Sequence, residues 1–249
     1  MNAEYSGQWP RILDVPERSA FSLQCTFAGS SRPSIFWTKD GRPVQNDDSQ
    51  AYADNNDDDD QWFQSPAKED IYSTISKLNV RCADFSSTGR YQCIAATRMG
   101  NVTSPMATNV RLHENGRRTP CFSSSRLAAI IYGRECAIPE ILSWTDTVTT
   151  TTSHDSFVRL TCRAIGNPRP KITWFNGKTT VKNDDDFMIL TSGDLIIKSS
   201  AIVTEVMSFT CKAESVCGAD SIEAIVIPVA SSDNDDENQM TRFLKERSS

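Results

Sequence analysis

The chain has 249 residues, a length that favours two domains of ordinary size over one large domain. Hydrophobic residues make up 38% and charged residues 23%, which excludes collagen-like and wholly disordered chains. The net charge is −6, and the one basic segment is too sparse to indicate nucleic-acid binding; it contains Arg117, Arg118, Arg126 and Arg134.

The first half of the chain predicts a series of short strands. Phe21–Phe27 alternates apolar and polar residues around Cys25, which is the pattern of a half-buried strand. Trp37 stands in a second alternating run, and a turn signal at Lys39–Gly41 follows it directly. A further cysteine, Cys93, completes the half.

The second half repeats this arrangement. Trp174 follows Cys162 by 12 residues, the same interval that separates Trp37 from Cys25, and Cys211 comes later. A Cys…Trp…Cys spacing among many short strands is typical of an immunoglobulin-type β-sandwich, in which a disulfide joins two sheets beside a buried Trp. The sequence therefore predicts an all-β chain of two tandem sandwiches, with core disulfides Cys25–Cys93 and Cys162–Cys211 beside Trp37 and Trp174.

These patterns also predict the domain limits. The first domain is expected to occupy residues 1–115 and the second residues 138–230, with a linker at 116–137. Residues 231–249 are acidic and poor in apolar side chains, so we expect a disordered tail.

Four cysteines remain, and they allow three pairings: Cys82, Cys121, Cys136 and Cys217. The expected topology places Cys82 near Cys121 at one end of domain 1, and Cys136 near Cys217 at one end of domain 2. The pairs 82–121 and 136–217 are therefore favoured, while free thiols or pairing between chains stay open.

Stable disulfides indicate an oxidising compartment, so secretion is the expected localisation. Residues 1–10 lack the pattern of a signal peptide, which indicates a missing start or a processed form. Apolar runs are far shorter than the roughly 20 residues of a membrane-spanning helix, and no anchor signal follows the tail.

Several other residues are candidates for surface sites. Asn101, in the sequon Asn101-Val-Thr103, is expected on an exposed hairpin and is a glycosylation candidate. Large aromatic residues outside the two core Trp positions either anchor a partner or pack beneath loops; they are Trp9, Trp62, Phe63 and Trp144. The apolar linker residues must be buried between domains or against a ligand; they are Phe122, Leu127, Ile130, Ile131 and Tyr132.

The sequence gives no support for catalysis or for a bound metal. It holds two histidines, His113 and His154, and none of the usual nucleophile, metal or phosphate-loop motifs. The acidic runs Asp57–Asp60 and Asp184–Asp186 are expected to be solvated loops, with a calcium site as the alternative. We therefore expect no enzymatic activity, no metal and no cofactor.

Two strings give the chain a specific family resemblance. Gly166–Trp174 together with Ser192–Ile197 resembles an I-set immunoglobulin domain, and Ser30–Trp37 together with Thr88–Cys93 resembles a second one. Tyr91, two residues before Cys93, matches the tyrosine corner, in which the hydroxyl donates to the backbone. Domain 2 has Phe209 at the matching position, so this hydrogen bond is expected to be absent there.

As a whole, the chain resembles small secreted proteins built from only two immunoglobulin domains. They include the nematode zwei-Ig family and a related insulin-binding insect protein. The resemblance implies an extracellular protein or peptide hormone as partner, and a role in keeping neurons and axons in position or in binding insulin-like peptides. It does not assign ligand-binding residues. The alternatives are a spacer or adhesion fragment of a larger cell-surface receptor and an intracellular muscle-type domain pair.

Overall fold

A computed structural model describes residues 4–5, 10–30, 32–44, 70–97, 100–105, 107–114, 136–151, 157–202 and 205–229. Within these ranges the chain forms eighteen strands and two short 3₁₀ turns, Phe85–Ser87 and Ser199–Ala201. The strands of the first half are β1 Glu4–Tyr5, β2 Ile12–Pro16, β3 Phe21–Gly29, β4 Ser34–Lys39, β5 Arg42–Pro43, β6 Ile71–Val80, β7 Gly89–Thr97, β8 Gly100–Thr103 and β9 Thr108–His113. Those of the second half are β10 Ala137–Thr151, β11 Phe157–Leu160, β12 Cys162–Asn167, β13 Lys171–Asn176, β14 Thr179–Thr180, β15 Phe187–Ile189, β16 Leu195–Lys198, β17 Met207–Ser215 and β18 Gly218–Val229.

Domain 1 is a sandwich of two sheets. One sheet runs β2-β9-β7-β4-β5, with β8 also paired to β7, and strands β1, β3 and β6 face it. The Cys25–Cys93 disulfide joins β3 to β7 with a Cα separation of 6.6 Å. Trp37 is buried beside it, and its indole nitrogen donates a hydrogen bond to Ser76 Oγ at 3.0 Å. The alternating residues of Phe21–Phe27 thus form a strand of this core, as the pattern predicted.

Domain 2 repeats the sandwich. Strands β11, β16 and β15 form one sheet, and β18, β17, β13 and β14 belong to the other. Cys162–Cys211 joins the two layers with a Cα separation of 6.6 Å. Trp174 is fully buried and donates its indole N–H to the carbonyl of Gly193 at 2.8 Å. The prediction of two immunoglobulin-like β-sandwiches is confirmed.

The two sandwiches share one sheet, which the sequence did not predict. Strand β10 of domain 2 pairs with β18 of its own domain and also with β6 of domain 1. The resulting sheet runs β1-β3-β6-β10-β18-β17-β13-β14, with β12 also paired to β10. Strand β10 begins at Ala137, directly after Cys136, while residues 115–135 and 230–249 lie outside the described residues, so the predicted linker and tail stay predictions.

The structure decides between the two alternatives for Trp144. The alternative of an exposed partner anchor is wrong, because Trp144 lies in β10 and is 7% exposed; it is buried between strands and not beneath a loop. Its ring belongs to the core cluster of domain 2, opposite Ile75 of β6. Trp144 pairs with Ile75 of domain 1 on one side and with Cys162 of domain 2 on the other, so its strand borders both domains.

Candidate functional site: the domain junction and the shared sheet

Strand β10 crosses from one layer of domain 2 to the other. Its first half pairs antiparallel with β12, and Thr147–Thr151 pairs in parallel with β18. A register shift between Thr145 and Thr147 accommodates the crossing. Thr145 forms two hydrogen bonds with Thr161, the residue between β11 and β12. The Thr145 amide donates to the carbonyl of Thr161 at 3.0 Å, and the Thr145 hydroxyl accepts from the Thr161 amide at 2.9 Å.

The inward face of the shared sheet carries apolar residues from both domains. Tyr72 of β6, Val148 of β10 and Val226 of β18 lie side by side on neighbouring strands. All three are buried and belong to the core cluster of domain 2. Burial of each apolar side chain contributes about 1.5–3 kcal/mol. Domain 1 therefore contributes to the core of domain 2, and the junction is a packed interior and not a hinge.

A buried carboxylate lies at the same junction. The side chain of Asp194 is 0% exposed and accepts hydrogen bonds from three guanidinium groups. Arg159 Nε lies 2.8 Å from Asp194 Oδ2, and Arg163 donates to both carboxylate oxygens. The third guanidinium comes from domain 1, because Arg32 Nη1 lies 3.3 Å from Asp194 Oδ2 and 2.6 Å from Thr161 Oγ1. This group, the Asp194 cluster, is an ion network that crosses the domain boundary.

The charges in the Asp194 cluster shift the pKa values of its members. Burial by itself raises the pKa of Asp194, but Arg163, Arg32 and Arg159 outweigh that effect and leave the pKa below its usual value. The pKa of Arg32 is lowered, first by burial and then by repulsion from Arg159 and Arg163, although Asp194 offsets part of this. The carboxylate is therefore ionised at neutral pH and neutralises a group of like charges.

Two further polar contacts belong to this junction. The Tyr72 hydroxyl donates to Asp70 Oδ2 at 3.5 Å, and burial, followed by the Asp70 charge, raises the pKa of Tyr72 to about 12. Glu140 of β10 lies 3.5 Å from Arg81 and accepts from the side-chain amide of Asn79. These polar contacts help to orient the two domains, whereas packing and strand pairing supply most of the free energy of the junction.

The outward face of the shared sheet is a continuous surface that both domains build. One row of neighbouring residues crosses five strands, and all of its side chains are half-buried: Ala28, Ser73, Thr147, Ile225 and Ser208. Four strand spacings of about 4.8 Å give this row a length of about 19 Å. Ile71, which is 39% exposed, lies beside Thr149 and Ile227 in the next row. We call this surface the shared face.

Three of the four predicted disulfides lie within the described residues. Besides the two core disulfides, Cys136–Cys217 joins the chain before β10 to the β17–β18 hairpin, with a Cα separation of 5.8 Å. Cys82 is also disulfide-bonded, and its predicted partner Cys121 lies outside the described residues. Cys136–Cys217 therefore attaches the beginning of β10 to domain 2, and β10 extends the sheet of that same domain.

The two positions of the tyrosine corner differ between the domains. In domain 1 the hydroxyl of Tyr91 donates to the carbonyl of Ser87 at 2.9 Å, and burial raises the pKa of this hydroxyl to about 12. In domain 2, Phe209 is fully buried and packs against Phe187 with ring centroids 6.0 Å apart. An aromatic contact thus replaces the hydrogen bond.

Those of the remaining predicted residues that the structure describes do not assemble into a site. Asn101 is exposed on β8, and Asp184 Oδ1 accepts from the amides of Asp186 and Phe187, so that this acidic run forms a turn. Within the described ranges, no group of three or more His, Cys, Asp or Glu residues could hold a metal ion. Several candidates lie outside the described residues: Trp9, Trp62, Phe63, His154, Phe122, Leu127, Ile130, Ile131, Tyr132 and Asp57–Asp60.

The Asp194 cluster and the shared face leave no signal in the local sequence pattern. Arg32 and Asp194 are 162 residues apart, so no local spacing signals their contact. The run Thr145–Thr151 is rich in β-branched residues and predicts a long strand, but it does not say which strands pair with it.

Comparison with known proteins assigns both domains. The family model for the immunoglobulin I-set domain matches residues 144–227, and a second immunoglobulin-domain model matches residues 6–96. The chain is thus a protein of two immunoglobulin domains, and it belongs to a class of non-enzymatic proteins that act through extracellular protein–protein interactions. The described ranges contain no helix that could span the apolar core of a bilayer.

Individual relatives resemble the chain over most of its length. It is 25% identical over 216 residues to zwei Ig domain protein zig-4 of Caenorhabditis elegans, covering 87% of this chain and 76% of the relative. The crystal structure of neural ectodermal development factor IMP-L2 matches with a TM-score of 0.64 and 21% identity, covering 92% of this chain and 96% of that one. Chicken neural cell adhesion molecule 1 is 25% identical over 210 residues, but the chain spans only 15% of its length.

Proposed function

We propose that this protein is a secreted binding protein that holds an extracellular protein or peptide hormone on the shared face. The observation that carries the proposal is the row that runs without interruption from domain 1 to domain 2. A partner on this row contacts both domains at once.

The physical support is pre-organisation. A flexible pair of domains loses conformational entropy when both of them engage one partner, whereas domains joined by strand pairing have lost it already on folding. The Asp194 cluster and the buried row of Tyr72, Val148 and Val226 hold the domains in one arrangement. The half-buried side chains of the shared face also lose little rotamer freedom on binding.

Secretion is supported by the disulfides. Three pairs are described, and Cys82 is bonded as well, which fits an oxidising compartment. We further propose that Cys82 pairs with Cys121. Peptide mapping under non-reducing conditions checks this pair, because a bridge between Cys82 and any other cysteine would contradict it.

We propose an insulin-like peptide as the first partner to test. Such a peptide is small enough to lie on one sheet face, and Ile71, Ile225 and Ile227 offer it apolar contacts between polar side chains. A role in maintaining neuron and axon position is the second candidate, supported by the similarity to the nematode protein. In that case the partner is a protein of the neuronal surface.

The test is a binding assay of the full secreted chain on a biosensor, with an insulin-like peptide and a panel of neuronal ectodomains as analytes. Ile225→Arg places a charge on the shared face, beside its central residue Thr147, and Met188→Arg places the same charge on an exposed residue of the other sheet of domain 2. We expect Ile225→Arg to weaken binding at least about tenfold, or about 1.4 kcal/mol, and Met188→Arg to leave it unchanged.

Other outcomes would contradict parts of the proposal. Equal binding by both variants would exclude the shared face as the site. Binding of an ectodomain and not of the peptide would favour the neuronal role. If neither class binds the wild-type chain, the alternative of a spacer or adhesion fragment of a larger receptor would be favoured instead.

A further inference from the structure

Strand β8 turns the glycosylation sequon toward solvent. Side chains alternate across a strand, and Val102 packs against the core of domain 1. Asn101 and Thr103, its two neighbours, are exposed and therefore point away from the core. Both residues that an N-linked glycan requires thus lie on the outward face of the sheet.

The same outward face carries an exposed aromatic residue. Thr103 pairs with Ile94, and Ile94 pairs with Phe36, so these three side chains form one row across β8, β7 and β4. Phe36 is 39% exposed and Ile94 is half-buried. Together they form an apolar patch, which we call the Phe36 patch.

Asn101 lies beside the Phe36 patch. It belongs to the adjacent row on the same face, formed with Ala96 and Ser34. Two strand spacings, about 10 Å, separate the strands of Asn101 and Phe36. The first sugars of an N-linked glycan cover such a distance, and the small side chains of Ala96 and Ser34 leave the path between the two residues open.

We propose that Asn101 carries an N-linked glycan whose first sugars lie over the Phe36 patch and shield it from solvent and from partners. The apolar C–H faces of a sugar ring pack well against the face of an aromatic ring, while its hydroxyl groups remain in water. This inference rests on the secretion included in the proposed function. It leaves the shared face as the surface that is open to a partner.

The sequon offers a matched pair of variants. Thr103→Ala destroys it, whereas Thr103→Ser keeps it with a change of one methyl group. The full chain is produced through a eukaryotic secretory pathway, and intact mass is measured before and after enzymatic removal of N-glycans. We expect a glycan mass on the wild type and on Thr103→Ser, and none on Thr103→Ala.

Shielding is measured with a dye that fluoresces on apolar surfaces. We expect Thr103→Ala to raise dye fluorescence about twofold over wild type and Thr103→Ser to leave it unchanged, because only the former exposes the Phe36 patch. Adding Phe36→Ser to Thr103→Ala should return the fluorescence to the wild-type level. Urea unfolding of each variant confirms that the fold is retained, and a variant that unfolds is replaced by enzymatic deglycosylation of the wild-type chain.

Two results would overturn the inference. An unmodified Asn101 in the secreted chain would show that no glycan is attached there. Unchanged dye fluorescence after deglycosylation would show that the glycan does not shield the Phe36 patch. Partner binding is measured on the same preparations, so that failure of the glycan proposal and failure of the proposed function are separate results. Partner binding that is gained on Thr103→Ala and lost again when Phe36→Ser is added would support the shielding, and it would contradict the proposed function by moving the partner from the shared face to the Phe36 patch.

Discussion

Replacement of Asp194 by Asn should destabilise the protein strongly, because the carboxylate is the shared counter-charge of three guanidinium groups. Asp194 is fully buried, and the side chains of Arg32, Arg159 and Arg163 are only 24%, 18% and 22% exposed. Asn keeps the shape and one acceptor oxygen but removes the negative charge. The three like charges then remain together without compensation.

The expected cost is about 3–5 kcal/mol, the range for removing one partner of a buried ion pair. Typical domains have about 5–15 kcal/mol of stability, so the variant keeps its fold with a reduced margin. Arg32→Gln should cost less, about 1–2 kcal/mol, because Arg32 is partly exposed and leaves two guanidinium groups on the carboxylate.

The effect of pH has a definite sign. The pKa of Asp194 is lower in the folded chain than in the unfolded chain, so its stabilising contribution is fully present above the unfolded pKa of about 3.9. That contribution is lost as the pH falls toward the folded pKa, at about 1.4 kcal/mol per pH unit. The difference between wild type and Asp194→Asn should therefore be largest at pH 7 and smaller at pH 3.

Urea unfolding followed by tryptophan fluorescence at pH 7, 5 and 3 provides the measurement. Asp185→Asn is the control, since it makes the same chemical change on an exposed loop residue. It should change the free energy of unfolding by less than about 0.5 kcal/mol. A cost for Asp194→Asn below about 1 kcal/mol at pH 7, or an equal cost at pH 7 and pH 3, would refute the electrostatic account.

Two further substitutions test the packing. Trp144→Ala should cost about 3–5 kcal/mol and lower the stability of both domains in one transition, because Trp144 of β10 lies beside Ile75 of β6 in the core cluster of domain 2; separate transitions for the two domains in calorimetry would contradict this. Tyr91→Phe should cost about 0.5–1.5 kcal/mol through loss of the hydrogen bond to Ser87, measured by urea unfolding, and a neutral result would show that water replaces that bond.

The sequence predicted what local patterns encode. Alternating residues around Cys25 and Cys162, each followed by a Trp at the same interval, determine the strands and cores of both sandwiches. The positions of Cys136 and Cys217 in the sequence also favoured their pairing, because both residues flank strands whose ends meet in any such sandwich.

The junction could not be predicted in the same way. Strand β10 presents the same alternating pattern whether its second edge faces water or another strand, since backbone groups form the pairing. Trp144 stands outside the two core Trp positions, so the sequence leaves both a partner anchor and packing beneath a loop open for it. Likewise, nothing in the sequence around Arg32 distinguishes it from another loop arginine, because its contact with Asp194 exists only in the folded chain.

Hydrogen exchange of the backbone amides in Ile71–Ser76 of β6 tests most directly whether the two domains share one sheet. In the full chain at neutral pH, we expect these amides to exchange as slowly as those of β7 and β17, because strands pair with β6 on both edges. Rapid exchange of every second amide in this segment, with β7 and β17 still protected, would show that β6 has a free edge and would contradict the shared sheet.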